Sequence, residues 1–473
     1  MEEHEPFLET SDESIVASLA IFARALLRRT TRQLVKGEEV PVRHVEMPLP
    51  VSRAAATDYV RLIALWNADR AGAVVSGPAR PCPACRSEAS DFQFVSLDQY
   101  PYHACRVCGT WFVPLMIDDG LMAAYFARVP EARRLSDAMM SGRDVRTRDS
   151  DRERFGQYFA LLRPLLAEGQ PVRYLDIGCG VGHSVEQAAE LGWDARGEEL
   201  NEVAVATAQA QGRNVVRPGA SDTGAAYDVV SLFETLEHVT DPDQVLAHVA
   251  RSLAPLGMVV ITVPNRSSFE ISVLRERCFH VFGGFENVGH INLFDPRGIG
   301  ALLERHGLSL LFTDGQFGSD LAQIFSFLAA SGQSAVDVLR SGQLEFSIAE
   351  PAYAVLNNLG PAAACLERAL KRSPILLALA CRASARPQLA DAVAAIEQRW
   401  REEMDAAFAA EGRALLESET EYKATVTAMQ AEVRRRDALL RETESSLQAE
   451  IQKRDQIIEE LKSAARKRSW FSR

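Results

Sequence analysis

The segment Asp176-Ile177-Gly178-Cys179-Gly180-Val181-Gly182 constrains the fold most, because a carboxylate and three alternating glycines end an apolar run and open a helical pattern. Such a turn binds ligands: without side chains, its backbone N–H groups and the following helix N-terminus approach a bound molecule closely. The spacing matches neither the phosphate loop G-x-x-x-x-G-K-[ST] nor the dinucleotide fingerprint G-x-G-x-x-G. A carboxylate at the strand end repels a pyrophosphate and suits a ligand carrying ammonium and sulfonium charges. Strand and helix patterns alternate downstream through Gly192 to Gly197, Tyr227 to Phe233 and Gly257 to Val263. This alternation predicts an α/β fold with a parallel sheet covered on both faces.

From about 174 to 311 the chain resembles the class I S-adenosylmethionine-dependent methyltransferases. The likeness rests on the glycine turn and on three downstream segments at the right intervals. Glu199 lies 23 positions after Asp176, where nucleoside-binding α/β folds grip a ribose diol. Glu234-Thr235-Leu236-Glu237-His238-Val239 comes after the fourth strand, and Asp241-Pro242 opens the next helix. The resemblance implies a Rossmann-like, seven-stranded methyltransferase sheet with S-adenosylmethionine as cofactor. By the same resemblance Asp176 and the backbone of Gly178, Gly180 and Gly182 hold the methionine portion, and Glu199 holds the ribose. Asp222 is the nearest match to the acidic residue that grips adenine, although its loop is short and lacks the usual Leu-Pro-Phe. Phe233 is the alternative adenine contact, or a core residue.

Methyl transfer from a sulfonium is an in-line displacement that gains most from alignment of the reacting atoms. A hydroxyl acceptor also benefits from a base, and histidine titrates in the useful range. His238 comes just after the fourth strand, as in ubiquinone-type O-methyltransferases, where this region sits by the methyl group. His290 lies in Gly289-His290-Ile291-Asn292-Leu293-Phe294-Asp295-Pro296, which looks like the H-x-N-x-F-x-P segment of methyltransferases in glycan and secondary-metabolite pathways. Both are candidate catalytic residues. The plain alternatives are a helix-start packing role for His238 and a loop-buttressing role for His290.

Cys82-Pro83-Ala84-Cys85 and Cys105-Arg106-Val107-Cys108 are two C-x-x-C pairs nineteen residues apart. Two such turns complete the tetrahedral thiolate shell of a structural zinc site. Disulfides or a redox pair are the competing readings, and they fit a chain without an export signal less well. Phe92 to Val95 and Tyr100 to His103 are then the strands of a zinc ribbon, with His103 a strand residue.

The chain has 473 residues, enough for several units. Residues 1–77 read as an N-terminal helical segment with helices at 12–36 and 57–69, joined by an extended, proline-marked connector. Residues 78–126 hold the ribbon and a following helix, 127–150 a surface linker, and 151–386 the methyltransferase domain with a helical insertion at about 316–372. Residues 387–473 form a long helix. Val426, Val433, Leu440, Leu447 and Leu461 keep coiled-coil spacing there, which predicts a homo-oligomer or a solvated helix. The last twelve residues are basic and carry Trp470-Phe471, a tail suited to anionic lipid or an acidic partner.

No apolar run reaches the roughly 18 residues of a membrane span, and the acidic start lacks the order of a signal peptide. A cytoplasmic enzyme is the expectation. Net charge of −12 argues against a nucleic-acid partner. The leading expectation is therefore a methyltransferase acting on oxygen of a small molecule or glycan. RNA methylation and a scaffold that has kept a methyltransferase-like domain are the alternatives.

Overall fold

The computed structural model describes residues 78–96, 100–116, 119–166, 169–219, 226–274, 290–316, 364–407, strands 42–48 and 343–349, most of 61–69, and scattered positions from 409 to 453. Met1–Ala409 form one compact unit and Ala410–Arg473 a second. In the second, the described positions are helical and, apart from half-buried Glu411, exposed. The heptad residues, the basic tail, helix 12–36 and Asp222 lie outside the described residues.

A seven-stranded sheet organises the first unit. Its strands are β5 (Arg173–Ile177), β6 (Asp194–Glu198), β7 (Val215–Val216), β8 (Tyr227–Phe233), β9 (Leu253–Pro264), β11 (Leu308–Gln316) and β13 (Ile375–Arg382), in the order β11-β13-β9-β8-β5-β6-β7. β5 to β9 pair in parallel, as the alternation predicts, whereas β13 runs antiparallel between β9 and β11. The sheet is thus mixed rather than wholly parallel. β11 and β13 lie side by side as a hairpin-like pair, and inserting that pair at the edge reverses one strand.

Alternation along the strands divides the core into two layers. Leu175, Ile177, Val230, Leu232, Val259 and Ile261 face one side, where Leu246 and Val249 of α5 (Pro242–Ser252) and Ile299 and Leu302 of α6 (Pro296–Glu304) cover them. Tyr174, Val229, Phe233, Met258 and Val260 face the other, under α2 (Pro130–Leu162), α3 (His183–Glu190) and α4 (Glu202–Ala210). Strands buried on both faces read as the near-continuous apolar runs seen in the sequence. Asp241 caps α5 by accepting from the Asp243 amide, with Pro242 in the first turn.

The cysteine ribbon joins this core instead of standing apart. β2 (Ser90–Val95), β3 (Pro101–Cys105) and β4 (Trp111–Phe112) form an antiparallel sheet, and β10 (Asn292–Leu293) adds a fourth strand beside β4. Cys82, Cys105, Cys108 and Phe112 consequently pack in the same cluster as Leu232 and Leu302. His103 is a β3 residue, with Nδ1 3.2 Å from Ser90 Oγ. Leu62 and Trp66 are buried, and the Trp66 ring meets Tyr125 of α1 (Asp119–Arg128) edge-on at 4.7 Å.

Two expectations are corrected. Residues 130–150 are not a linker: they are the first two thirds, roughly, of the 33-residue α2. Its polar surface is stabilised by pairs such as Arg133–Asp137 at 2.9 Å and by Arg148 and Arg152 reaching Glu186 and Glu190 of α3. Its final turns then bury Phe155, Tyr158, Phe159 and Leu162. The span expected to be a helical insertion contains β12 (Gln343–Ala349), which pairs antiparallel with β1 (Val42–Pro48) in the region read as a connector. Leu344, Phe346 and Ile348 carry the two-residue period of a strand.

Candidate functional site

β5 carries the chain into the glycine turn at the carboxyl end of the sheet's centre. The amides of Gly178 and Cys179 donate to the Glu198 carbonyl at 2.7 and 3.2 Å, tying the loop to β6. Gly178 has φ +76°, and a Cβ there would lie 2.6 Å from Thr235 Cγ2; Gly182 has φ +80° and would meet Val215 Cγ2 at 2.8 Å. No other residue satisfies both the left-handed backbone and the close approach. Between them, a Cβ on Gly180 would meet nothing within 4 Å, so the tip of the turn faces open space.

Asp176 and Glu199 flank this turn differently. Asp176 is 2% exposed. It accepts from Ser231 Oγ at 2.7 Å and from Ser184 Oγ, and Ser231 in turn lies 2.7 Å from the Tyr174 hydroxyl. Burial pushes its carboxyl up to about 7, against the pull of the two serine hydroxyls. Each oxygen is thus held by a serine within the protein, where the resemblance implies contact with the methionine portion. Glu199 Oε2 accepts from the Gly180 amide at 2.9 Å and Oε1 from the Asn201 amide at 2.7 Å, which puts this half-buried carboxylate beside the open tip. Neighbouring Glu198 is buried and turns instead to His248 Nε2 on α5 at 2.8 Å. The two neighbouring glutamates therefore take different partners, Glu199 at the turn and Glu198 on α5.

Phe233 belongs to the core. It stacks on Tyr158 at 5.3 Å and leans on Phe155 at 4.9 Å, both from α2. The sequence hides these partners, because α2 shows little apolar periodicity before residue 150.

After β8 the chain turns through Glu234, a non-glycine residue at φ +50°, and brings Glu237 and His238 beneath the strand end. The Ile291 and Asn292 amides both donate to the Glu237 carbonyl, at 2.8 and 3.1 Å. The Asn292 side-chain amide donates to the Leu236 and Val239 carbonyls at 2.8 and 2.7 Å. These bonds bring together the two candidate histidines, with ring centroids 4.7 Å apart. Donor atoms of Glu237, His238 and His290 lie within 4.8 Å of one another.

Arg80 locks that frame from the ribbon side. Buried at 6% exposure, it donates to the carbonyls of Val113, Thr240 and Ile291 and to Asn292 Oδ1, over 2.7 to 3.0 Å. Burial lowers its guanidinium to about 10. An arginine just before a cysteine pair carries no sequence signal for this role. Ser184 and Ser231 escape sequence reasoning in the same way, since a lone serine in a helix or strand has many uses.

In the ribbon, Cys82 Sγ and Cys108 Sγ lie 3.6 Å apart, and Cys85 Sγ and Cys105 Sγ 3.5 Å. The hydrogen bond from Cys82 holds Cys108 down to about 4, while that same contact and burial push Cys82 far up. Sulfurs on a tetrahedral ion with bonds of about 2.3 Å sit about 3.8 Å apart, so the four cysteines fit a zinc ion with small adjustments.

Known proteins match this architecture in part. Residues 150–311 match a family model described as a methyltransferase domain. The ubiquinone biosynthesis O-methyltransferase of Sinorhizobium medicae is 34% identical over 129 residues, 25% of this chain and 50% of that protein. The Caulobacter sp. enzyme of the same name is 36% identical over 106 residues, 20% of this chain and 42% of that one. The chain thus spans about half the length of the curated relatives it matches. A crystal structure of a SAM dependent methyltransferase from Archaeoglobus fulgidus is 19% identical, with a TM-score of 0.33 over 49% of this chain and 93% of that one. Glycine turn, sheet and family match agree: the chain contains a class I S-adenosylmethionine-dependent methyltransferase domain.

Proposed function

We propose that the protein transfers a methyl group from S-adenosylmethionine to an oxygen of a small-molecule or glycan acceptor. The observation that carries this reading is the open tip at Gly180 with the Glu199 carboxylate beside it, at the carboxyl ends of adjacent parallel strands. Ligands bind at that end of open α/β sheets. Glu199 accepts from the ribose hydroxyls, and the glycine turn admits the methionine portion. The His238 and His290 pair lies at the end of β8, next in the sheet to β5, and faces the acceptor. An imidazole there takes the acceptor proton as the new carbon–oxygen bond forms. The likeness to O-methyltransferases supports oxygen as the target.

The four ribbon cysteines hold one structural zinc, whose role is to fix the β2-β3-β4 sheet against β10. It takes no part in methyl transfer. Among the described residues no helix is long and apolar enough to cross a membrane.

Calorimetric titration with S-adenosylmethionine tests the reading directly. Saturable binding that Glu199→Ala weakens is the expected result; a wild-type protein that does not bind the cofactor would sink it.

A further inference from the structure

We propose that the cleft between α2, β11 and the helix at 386–407 is a second ligand site, separate from the cofactor crevice, that takes an uncharged planar molecule carrying a carbonyl group. The Tyr158 hydroxyl is its recognition donor. The site goes beyond the methyltransferase reading and does not rest on it.

Three observations carry the site. First, the cavity is built. α2, β11, β13 and the helices at 364–369 and 386–407 surround about 670 Å³, within the range of about 300 to 1,000 Å³ usual for small-molecule sites. Leu377, Ile396 and Met404 are buried in its walls, and Trp400 is half-buried beside them. Trp400 is fixed in two directions: Nε1 donates to Asp314 Oδ1 at 2.9 Å, and its ring meets that of Phe312 edge-on at 6.4 Å. A tethered indole gives a planar ligand a rigid face to lie on.

Second, Tyr158 lines this cavity with 2% of its surface exposed, and its hydroxyl has no hydrogen-bond partner among the described residues. Burial and the Glu234, Asp314 and Asp151 carboxylates raise its pKa against the pull of Arg154, so the hydroxyl keeps its proton and donates. A buried donor left unpaired is costly, and a carbonyl oxygen in the cavity satisfies it. Third, the charges of the walls are already balanced. Arg368 spans both oxygens of Asp314 at 2.7 to 3.1 Å and reaches Glu403 at 3.8 Å. With Arg399, the lining has two cations against two carboxylates. A charged ligand would add an uncompensated charge, and an uncharged one adds none.

The site bears on the sheet beside the candidate active site. Phe233 pairs with Thr262, Thr262 with Leu377 and Leu377 with Asp314, in one row across four strands. With strands about 4.8 Å apart, the cavity wall at Leu377 lies about 10 Å from Phe233. Tyr158 bridges that gap, because its ring stacks on Phe233 at 5.3 Å. A ligand on its hydroxyl therefore presses on the strand that leads to the histidine pair, while the glycine turn lies one strand further on, after β5.

The neutral naphthyl ketone prodan is the probe, since its emission moves to the blue in apolar surroundings and its carbonyl accepts a hydrogen bond. Full-length protein is titrated with prodan by fluorescence, with and without saturating S-adenosylmethionine. The expected result is one saturable site per chain that Tyr158→Phe and Trp400→Ala each weaken at least fivefold and that S-adenosylmethionine leaves unchanged. Ala160→Trp, at an exposed position of the cavity rim, is expected to block the site without disturbing the core. Tyr158→Phe removes an unpaired hydroxyl, so its melting temperature should hold or rise while probe affinity falls; a purely structural hydroxyl would give the reverse. Wild-type protein without a saturable site, equal affinity in all three variants, or displacement of the probe by S-adenosylmethionine overturns the proposal. Because probe binding is the readout, a protein that fails to bind the cofactor and still shows the site overturns only the methyltransferase reading.

Discussion

The hydroxyl of Tyr102, on the ribbon strand β3, donates to the main-chain carbonyl of His290. Together with the β4 and β10 pairing and the Arg80 bonds, it makes the ribbon a support for one wall of the candidate site. Tyr102→Phe removes that bond at a cost of about 1 kcal/mol. Turnover is expected to fall several-fold with S-adenosylmethionine affinity unchanged, as read by steady-state kinetics beside calorimetry. Equal losses in both would show that the ribbon acts on the whole domain.

Glu198 and Glu199 provide an internal control. Glu199→Ala is expected to weaken S-adenosylmethionine at least tenfold, about 1.4 kcal/mol, with little change in melting temperature. Glu198→Ala removes the partner of His248 and is expected to lower the melting temperature while cofactor affinity holds. Calorimetry and thermal melts on the pair check the assignment, and the opposite pattern would reverse it.

Arg80→Lys keeps the charge but not the fork that reaches four acceptors. Leaving several buried acceptors unpaired costs about 2 to 4 kcal/mol. Urea unfolding should show that loss, and zinc content should fall with it if the ribbon loosens. A neutral outcome would mean that water replaces the guanidinium.

Asp176 gives a pH signature. Its folded carboxyl titrates at about 7, against about 3.9 in an unfolded chain. The native state therefore holds more protons between those values, and the Asp176 contribution declines as pH rises through that window, by up to about 1.4 kcal/mol per unit. Relative to Asp176→Asn, wild-type protein is expected to lose stability between pH 5 and pH 8. Denaturation curves for both proteins at the two pH values decide it, and a constant gap would refute the shift.

Features written in local spacing are legible from the sequence. Asp176 to Gly182, the cysteine pairs, the Asp241-Pro242 helix start and strands β5, β6, β8 and β9 all arise from turn chemistry and short-range periodicity. Features set by docking are not legible. The first half of α2 shows little apolar periodicity because charged side chains stabilise it, and the place of Phe233 depends on the rings that α2 lays above it. β4 and β10 have two residues each, too few for any pattern. Glu237 lies in the segment after β8, yet its meeting with His290 depends on Asn292 and Arg80, which are far apart in the chain.

The shared ribbon sheet also sets an order of events during synthesis. Arg80 and Ile291 are 211 positions apart, so at about 5 to 20 residues per second the ribbon waits roughly 10 to 40 s for the strand that completes it. Through that interval β4 has an unpaired edge and Arg80 lacks most of its acceptors. A nascent chain could close its thiolate cluster early, but the cluster would hold an unfinished sheet. Closure of the cysteine cluster and completion of the sheet are therefore separate folding steps, and the histidine-bearing wall forms only at the second.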